Sequence, residues 1–220
     1  MSSPLTSLGS GRIGRATLIG LAGLLVGASA CGESSHRYIA NTTEKIYMRV
    51  PRDWNDLTFT PADPDRLEGM TSQATVVWRA ATTPAADPKP DQVSSEDPLA
   101  FTAVYELSGQ LNQQMSASLA RLAASPTGFD PVLPSDDTES AQVEVLDYQP
   151  LGFEGINGSR IVFRMRDSAS DPWKAIYDVS AAYDSKAFRL YVLQVGCSTT
   201  CYEQNKSTIS AIADSWLVKT

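Results

Sequence analysis

From Gln142 onward the chain reads as strand after strand, and this run narrows the possible folds more than any other feature. Val143 to Leu151, Ser159 to Arg166, Lys174 to Tyr183 and Ala187 to Val195 are β-rich, and the links between them are short and hold Gly or Asp. Links that short cannot carry a crossover, so the strands they join run antiparallel. In the last strand Arg189, Tyr191, Leu193 and Val195 alternate with Phe188, Leu190, Val192 and Gln194. Both sets are largely apolar, which predicts a central strand covered on both sides.

The covering elements are read from the rest of the chain. Gln110 to Ala124 predicts one helix, because Leu111, Met115, Leu119 and Leu122 recur on one face of a 3.6-residue period. Ser125-Pro126 ends it, since a residue before proline avoids the helical region. A last helix is expected from about Glu203 to Ser215, with Ile209, Ile212, Ala213 and Trp216 on one side. Leu217 to Lys219 closes the chain as a short strand or tail. Upstream, Lys45 to Val50, Thr75 to Ala80 and Leu99 to Leu107 are further strands. Thr82 to Pro98 and Thr127 to Ala141 are Pro- and Asp-rich and predict loops. Together these give an α+β fold, an antiparallel β-sheet with helices packed on it. Residues 44–220 are expected to form a single domain.

Residues 1–30 have another character. They hold no acid, two arginines (Arg12 and Arg15), an apolar stretch from Ala16 to Gly27 and then Ala28-Ser29-Ala30 before Cys31. That order predicts a secretory signal. The apolar stretch is shorter than the roughly 20 residues of a membrane-spanning helix. Ala28-Ser29-Ala30-Cys31 resembles the lipobox of bacterial lipoproteins, although Ala28 stands where that family usually has Leu. The resemblance implies that Cys31 is lipidated and becomes the mature N-terminus, holding the protein on the extracytoplasmic face of the cell membrane. A plain signal peptide cut nearby is the alternative. Residues 31–43 then read as a polar tether, and the lone His36 as a solvated linker residue. Losing Arg12 and Arg15 takes the net charge from −7 to −9. So acidic a domain argues against nucleic acid as a partner and against a broad electrostatic grip on anionic lipid.

Cys31 accounts for one cysteine, which leaves Cys197 and Cys201. Outside the cytoplasm two spare thiols usually pair, and their three-residue gap suits a turn between strand and helix. A redox pair would have two residues between the cysteines, and a zinc site would need a second ligand pair. A disulfide is therefore expected, with no metal and no cofactor.

Candidates for chemistry are few. One His leaves no spare base for a Ser-His-Asp array. Asp63 to Gly69 fails the calcium-loop spacing and reads as a proline-led turn. Gly152 to Gly158 lies between two strands and reads as a hairpin connection rather than a phosphate loop. Arg160, Arg164 and Arg166 are expected on one sheet face. Their guanidinium forks suit a phosphate or carboxylate. Cross-strand partners such as Asp178 offer the plainer use.

Val50-Pro51 closing the first strand with Trp54 three residues on, the hairpin residues Gly155, Gly158 and Arg160, and the closing run Ala213 to Val218 resemble PsbP-like domains, including those of the Lpq-type lipoproteins of actinobacteria. That resemblance implies a PsbP-like α/β/α sandwich in a non-enzymatic lipoprotein. Its partner would be a protein or an envelope lipid or glycan. The two loops would be its variable contact surfaces. A small-molecule carrier with an apolar cavity, or an envelope hydrolase using carboxylates alone, are the other readings.

Overall fold

Strand β9 (Arg189–Ser198) is buried along nearly its whole length, as its two-sided apolar pattern predicts. The computed structural model describes residues 35–59, 73–86, 88, 96–134, 136–153 and 155–219. Cys31 and the Asp63 to Gly69 turn lie outside them. The strands that flank β9 build a seven-stranded antiparallel sheet in the order β3-β4-β5-β9-β8-β7-β6. Here β3 is Asn55–Asp56, β4 Ala74–Thr83, β5 Leu99–Leu107, β6 Val143–Phe153, β7 Ile156–Met165 and β8 Ala175–Asp184. The run after Gln142 therefore forms four sequential neighbours, β6 to β9, and β5 pairs with the free side of β9. The β6–β7 hairpin turns at Gly155, whose φ of 79° is open to glycine without strain.

Each face of this sheet carries its own core. On one, Leu190 and Val192 of β9 meet Phe101 and Tyr105 of β5, Phe163 of β7 and the helices α1 (Gly109–Gln114) and α2 (Ala117–Ala124). On the other, Tyr191, Leu193 and Val195 pack under α4 (Thr199–Ser215), with Ile209, Ile212 and Trp216. A second sheet shares that core. It consists of β1 (His36–Asn41), β2 (Ile46–Pro51) and β10 (Leu217–Val218) in the order β1-β2-β10, and its Ile46, Met48 and Val50 point inward. Every fully buried aliphatic side chain of this kind contributes about 1.5–3 kcal/mol.

Four boundaries differ from the sequence reading. The single helix expected over Gln110 to Ala124 is two. Met115 is extended, and the Ser116 side chain accepts the Leu119 N–H at 3.1 Å, starting α2 afresh. A serine at that point offers the backbone a cap, which outweighs the apolar period running through it. The last helix begins at Thr199, four residues before Glu203, because Ser198 caps it and the Thr199 hydroxyl donates to the Trp173 carbonyl at 3.0 Å. The loop from Thr127 to Ala141 contains α3 (Asp137–Gln142), capped by Asp136. The tether is shorter than expected. His36–Asn41 is a strand paired along its length with β2, and Ile39 packs on the α4-side core. His36 opens that strand.

Two covalent or ionic ties fasten the covers. Cys197 at the end of β9 is joined to Cys201 in the first turn of α4, Cα–Cα 5.9 Å, as the cysteine count predicts. On the other face, Arg121 of α2 meets Asp130 through two hydrogen bonds of 2.9 and 2.8 Å, almost entirely out of water. Burial works to raise the Asp130 carboxyl. Arg121, the Ser118 hydroxyl and the Val132 N–H outweigh it and hold the group below the ordinary carboxylate range.

Close approach of strands requires glycine at position 158. A Cβ at Gly158 would run into the Ala181 carbonyl and lie 2.8 Å from the Ala182 Cα, both backbone atoms of β8. Gly158→Ala is expected to cost about 1–3 kcal/mol, read as a lower urea midpoint at unchanged slope. An unchanged midpoint would contradict the β7–β8 pairing.

Candidate functional site

Strand β7 places Arg160, Val162 and Arg164 on the α4 side of the sheet, and Ile161 and Phe163 in the opposite core. The arginine row is engaged within the protein. Arg160 forks onto Asp178 of β8, Nε to Oδ1 at 2.8 Å and Nη2 to Oδ2 at 2.6 Å, and its Nη1 also donates to Asp214 of α4. Arg164 donates to Glu144 of β6 at 2.6 Å. Arg166, just past the end of β7, donates to the Ala141 carbonyl at 2.8 Å. Both Arg164 and Arg166 stack on the ring of Trp173, each 4.4 Å from its centroid.

Asp178 has no exposed surface, and burial pushes its carboxyl above the ordinary value even though Arg160 pulls it down. Tyr202 of α4 is affected in the same way. Burial first, then the Asp178 charge, push its hydroxyl up to about 12, so it stays protonated and is no base at neutral pH. One part-buried guanidinium between two carboxylates joins β7, β8 and the C-terminal turn of α4. Such a group holds these elements in place.

Open space lies beside that group, where α4 meets the three-stranded sheet. Along β2 the inward Ile46, Met48 and Val50 alternate with Tyr47 and Arg49, which face outward. Register sets their neighbours, with Tyr38 of β1 opposite Arg49 and Leu217 of β10 opposite Tyr47. The Ser215 hydroxyl pins β2 to α4, donating to the Ile212 carbonyl at 2.7 Å and accepting the Arg49 N–H at 2.8 Å. Between these elements runs a groove of about 510 Å³, lined by Tyr38, Tyr47, Arg49, Asp214, Ser215 and Lys219. A second hollow of about 200 Å³, next to His36, Pro51 and Ser207, adjoins it across Arg49.

The groove is amphipathic and locally basic. Tyr38 is 70% exposed. Lys219 Nζ sits 5.0 Å from the Tyr47 ring centroid, a cation–π contact. Among the described residues the exposed Arg49 guanidinium has no hydrogen-bond or ion-pair partner. Asp214, the one acid in the lining, already holds Arg160. Sequence reasoning missed this site because it treated Tyr38 as tether. The outward Tyr47 and Arg49 between apolar residues were the signal available.

No protein-family model and no curated protein matches the chain. Solved structures show the fold. PsbP of the cyanobacterium Synechocystis aligns with a TM-score of 0.52 and 13% identity, covering 89% of this chain and 99% of that one. LpqN of Mycobacterium tuberculosis, a protein involved in cell envelope biogenesis, aligns with a TM-score of 0.47 and 12% identity over 80% of this chain and 83% of its own. The Ran-binding protein Mog1p of Saccharomyces cerevisiae gives 0.43 and 8%, over 83% and 95%. The architecture is PsbP-like.

Exposure separates the two ion pairs of Arg160. Asp178 is fully buried, whereas the Asp214 side chain is 66% exposed. Arg160→Ala strands a buried carboxylate and is expected to cost about 3–5 kcal/mol. Asp214→Ala should cost no more than about 1 kcal/mol. Denaturant unfolding of the two variants checks this, and equal losses would contradict the buried role of Asp178.

Proposed function

We propose that this PsbP-like chain is a lipid-anchored, non-enzymatic binding protein on the extracytoplasmic face of the cell membrane, and that the groove beside α4 is where it binds. The observation that carries the reading is the Tyr38–Tyr47–Arg49–Lys219 cluster. It offers one exposed ring, one half-buried ring and two cations, and among the described residues the Arg49 guanidinium has no protein partner. Tyrosine and arginine are the side chains that dominate binding surfaces, because each presents large, stiff contact area with a polar end. The chemistry recognises an anionic or amphipathic group on a partner protein, lipid or glycan. Among the described residues the groove lining is rings, cations and an acid already holding Arg160, a set suited to binding. Cys31, four residues ahead of the first described residue, supplies the anchor in this reading.

Two measurements test it together. Cys31→Ala should lack the acyl mass of the mature protein and appear in the medium. In intact cells, a photo-crosslinking amino acid in place of Tyr38 should form an adduct that Arg49→Glu with Lys219→Glu abolishes, while the same probe in place of the exposed Leu133 should not. Membrane retention of Cys31→Ala would remove the anchor. Equal adducts at both positions, or none at position 38, would remove the groove as the binding site.

A further inference from the structure

We infer that the outer face of the β1-β2-β10 sheet, built by Tyr38, Tyr47, Arg49, Leu217 and Lys219, is the surface with which the domain lies on an anionic bilayer. The inference deepens the binding role of the groove and rests on the lipid anchor at Cys31.

Reach is the first argument. Cys31 and His36, the first residue of β1, are five residues apart. Fully extended, five residues span at most about 18 Å. A lipid on Cys31 therefore keeps His36, the start of β1, within that distance of the bilayer surface whatever course the intervening residues take. The start of β1, and the end of β2 that pairs with it, are therefore the strand segments nearest the anchor along the chain.

The second argument is the composition of the face. Tyr38 is 70% exposed and Leu217 is 38% exposed, a large aromatic and an aliphatic side chain on one small surface. Register puts them beside cations, with Arg49 opposite Tyr38, and Lys219 over the ring of Tyr47. Tyrosine, arginine and lysine each carry an apolar body with a polar tip and settle at the level of lipid headgroups. The Arg49 fork matches a phosphate, and Lys219 adds a second charge to the same groove.

Charge distribution is the third. The whole chain is net −7, so an anionic membrane repels most of its surface. A broad grip is excluded, as the composition argues, but a local basic face is not. That face then sets orientation. Through Arg37, β1 binds Asp56 of β3 and the Trp54 carbonyl, which places it at the β3 end of the seven-stranded order. The opposite edge is β6, where Asp147 is exposed and Glu144 is half-exposed. Six strand spacings of about 4.8 Å separate the two edges. With β1 held down, acidic β6 is turned away from the lipid.

The test uses the mature lipid-anchored chain in vesicles, with Tyr38→Trp as reporter and nitroxide-labelled phosphatidylcholine as quencher. The parent chain gives the background of the native tryptophans. In vesicles containing phosphatidylglycerol the added reporter should be quenched at least about twofold more than in phosphatidylcholine alone, and molar salt should erase the difference. Arg49→Glu with Lys219→Glu should reduce quenching to the phosphatidylcholine level. Tyr148→Trp, on β6, should stay bright in both. Equal quenching in the two lipids, an unaffected charge-reversed variant, or stronger quenching at position 148 would overturn the proposal. Intact mass reports the anchor separately. If Cys31 carries no lipid, the anchor fails alone, and flotation of the secreted chain with phosphatidylglycerol vesicles decides the face. Loss of flotation by about tenfold or more in the charge-reversed variant supports it, and no flotation of the parent overturns it.

Discussion

Strand β9 has no face left for water, and the remaining architecture follows from that constraint. Leu190 and Val192 need one cover, and Leu193 and Val195 need another. The chain meets the first need with α1 and α2, and the second with α4 and the small sheet. Short hairpins bring β8, β7 and β6 to one side of β9, and β5 takes the other. Two polar side chains buried in this arrangement have backbone partners. Gln194 of β9 donates to the Ala124 carbonyl at the end of α2, and the Thr102 hydroxyl donates to the Val192 carbonyl at 2.9 Å. A buried polar group left without a partner costs about 1–3 kcal/mol, so the Gln194 contact also fixes how the end of α2 sits on β9.

The same logic decides what the charged residues do. Asp178 lies on the face that α4 covers, where an unpaired carboxylate is untenable, so Arg160 is committed to it. Asp214 binds the far side of that guanidinium and ties the end of α4 to β7. The charge nearest the groove is thereby absorbed into the fold, and Arg49 and Lys219 are left as the cations that face outward there. Asp214 lines the groove while its carboxylate holds Arg160, which is why it does not make the groove acidic.

Much of the fold was legible in the sequence because period and turn length are local signals. Alternation on both faces of β9, short links between β6 and β9 and the cysteine spacing all survive into the structure. What was not legible depended on partners distant in sequence or on a single competing hydrogen bond. Ser116 breaks a helix whose apolar period is unbroken. His36–Asn41 looks like a polar tether until β2 is placed beside it. Asp178 is the cross-strand partner that the strand pattern offers Arg160, whereas Asp214 and Glu144, 54 and 20 residues from the arginines they hold, carry no local signal, and Arg166 falls just past the end of β7. The groove was hidden for the same reason, since it needs β1, β2, β10 and α4 at once.

The proposed function turns on whether the groove face is the one that would meet a membrane. Paramagnetic broadening of amide signals by nitroxide-labelled lipid, measured on the anchored chain in phosphatidylglycerol nanodiscs, addresses this most directly. Signals from Tyr38, Arg49 and Lys219 are expected to broaden while those from Val145 and Tyr148 on β6 stay sharp. Broadening of the β6 signals with sharp signals from Tyr38 and Arg49 would contradict the groove-down orientation and the binding role assigned to that face.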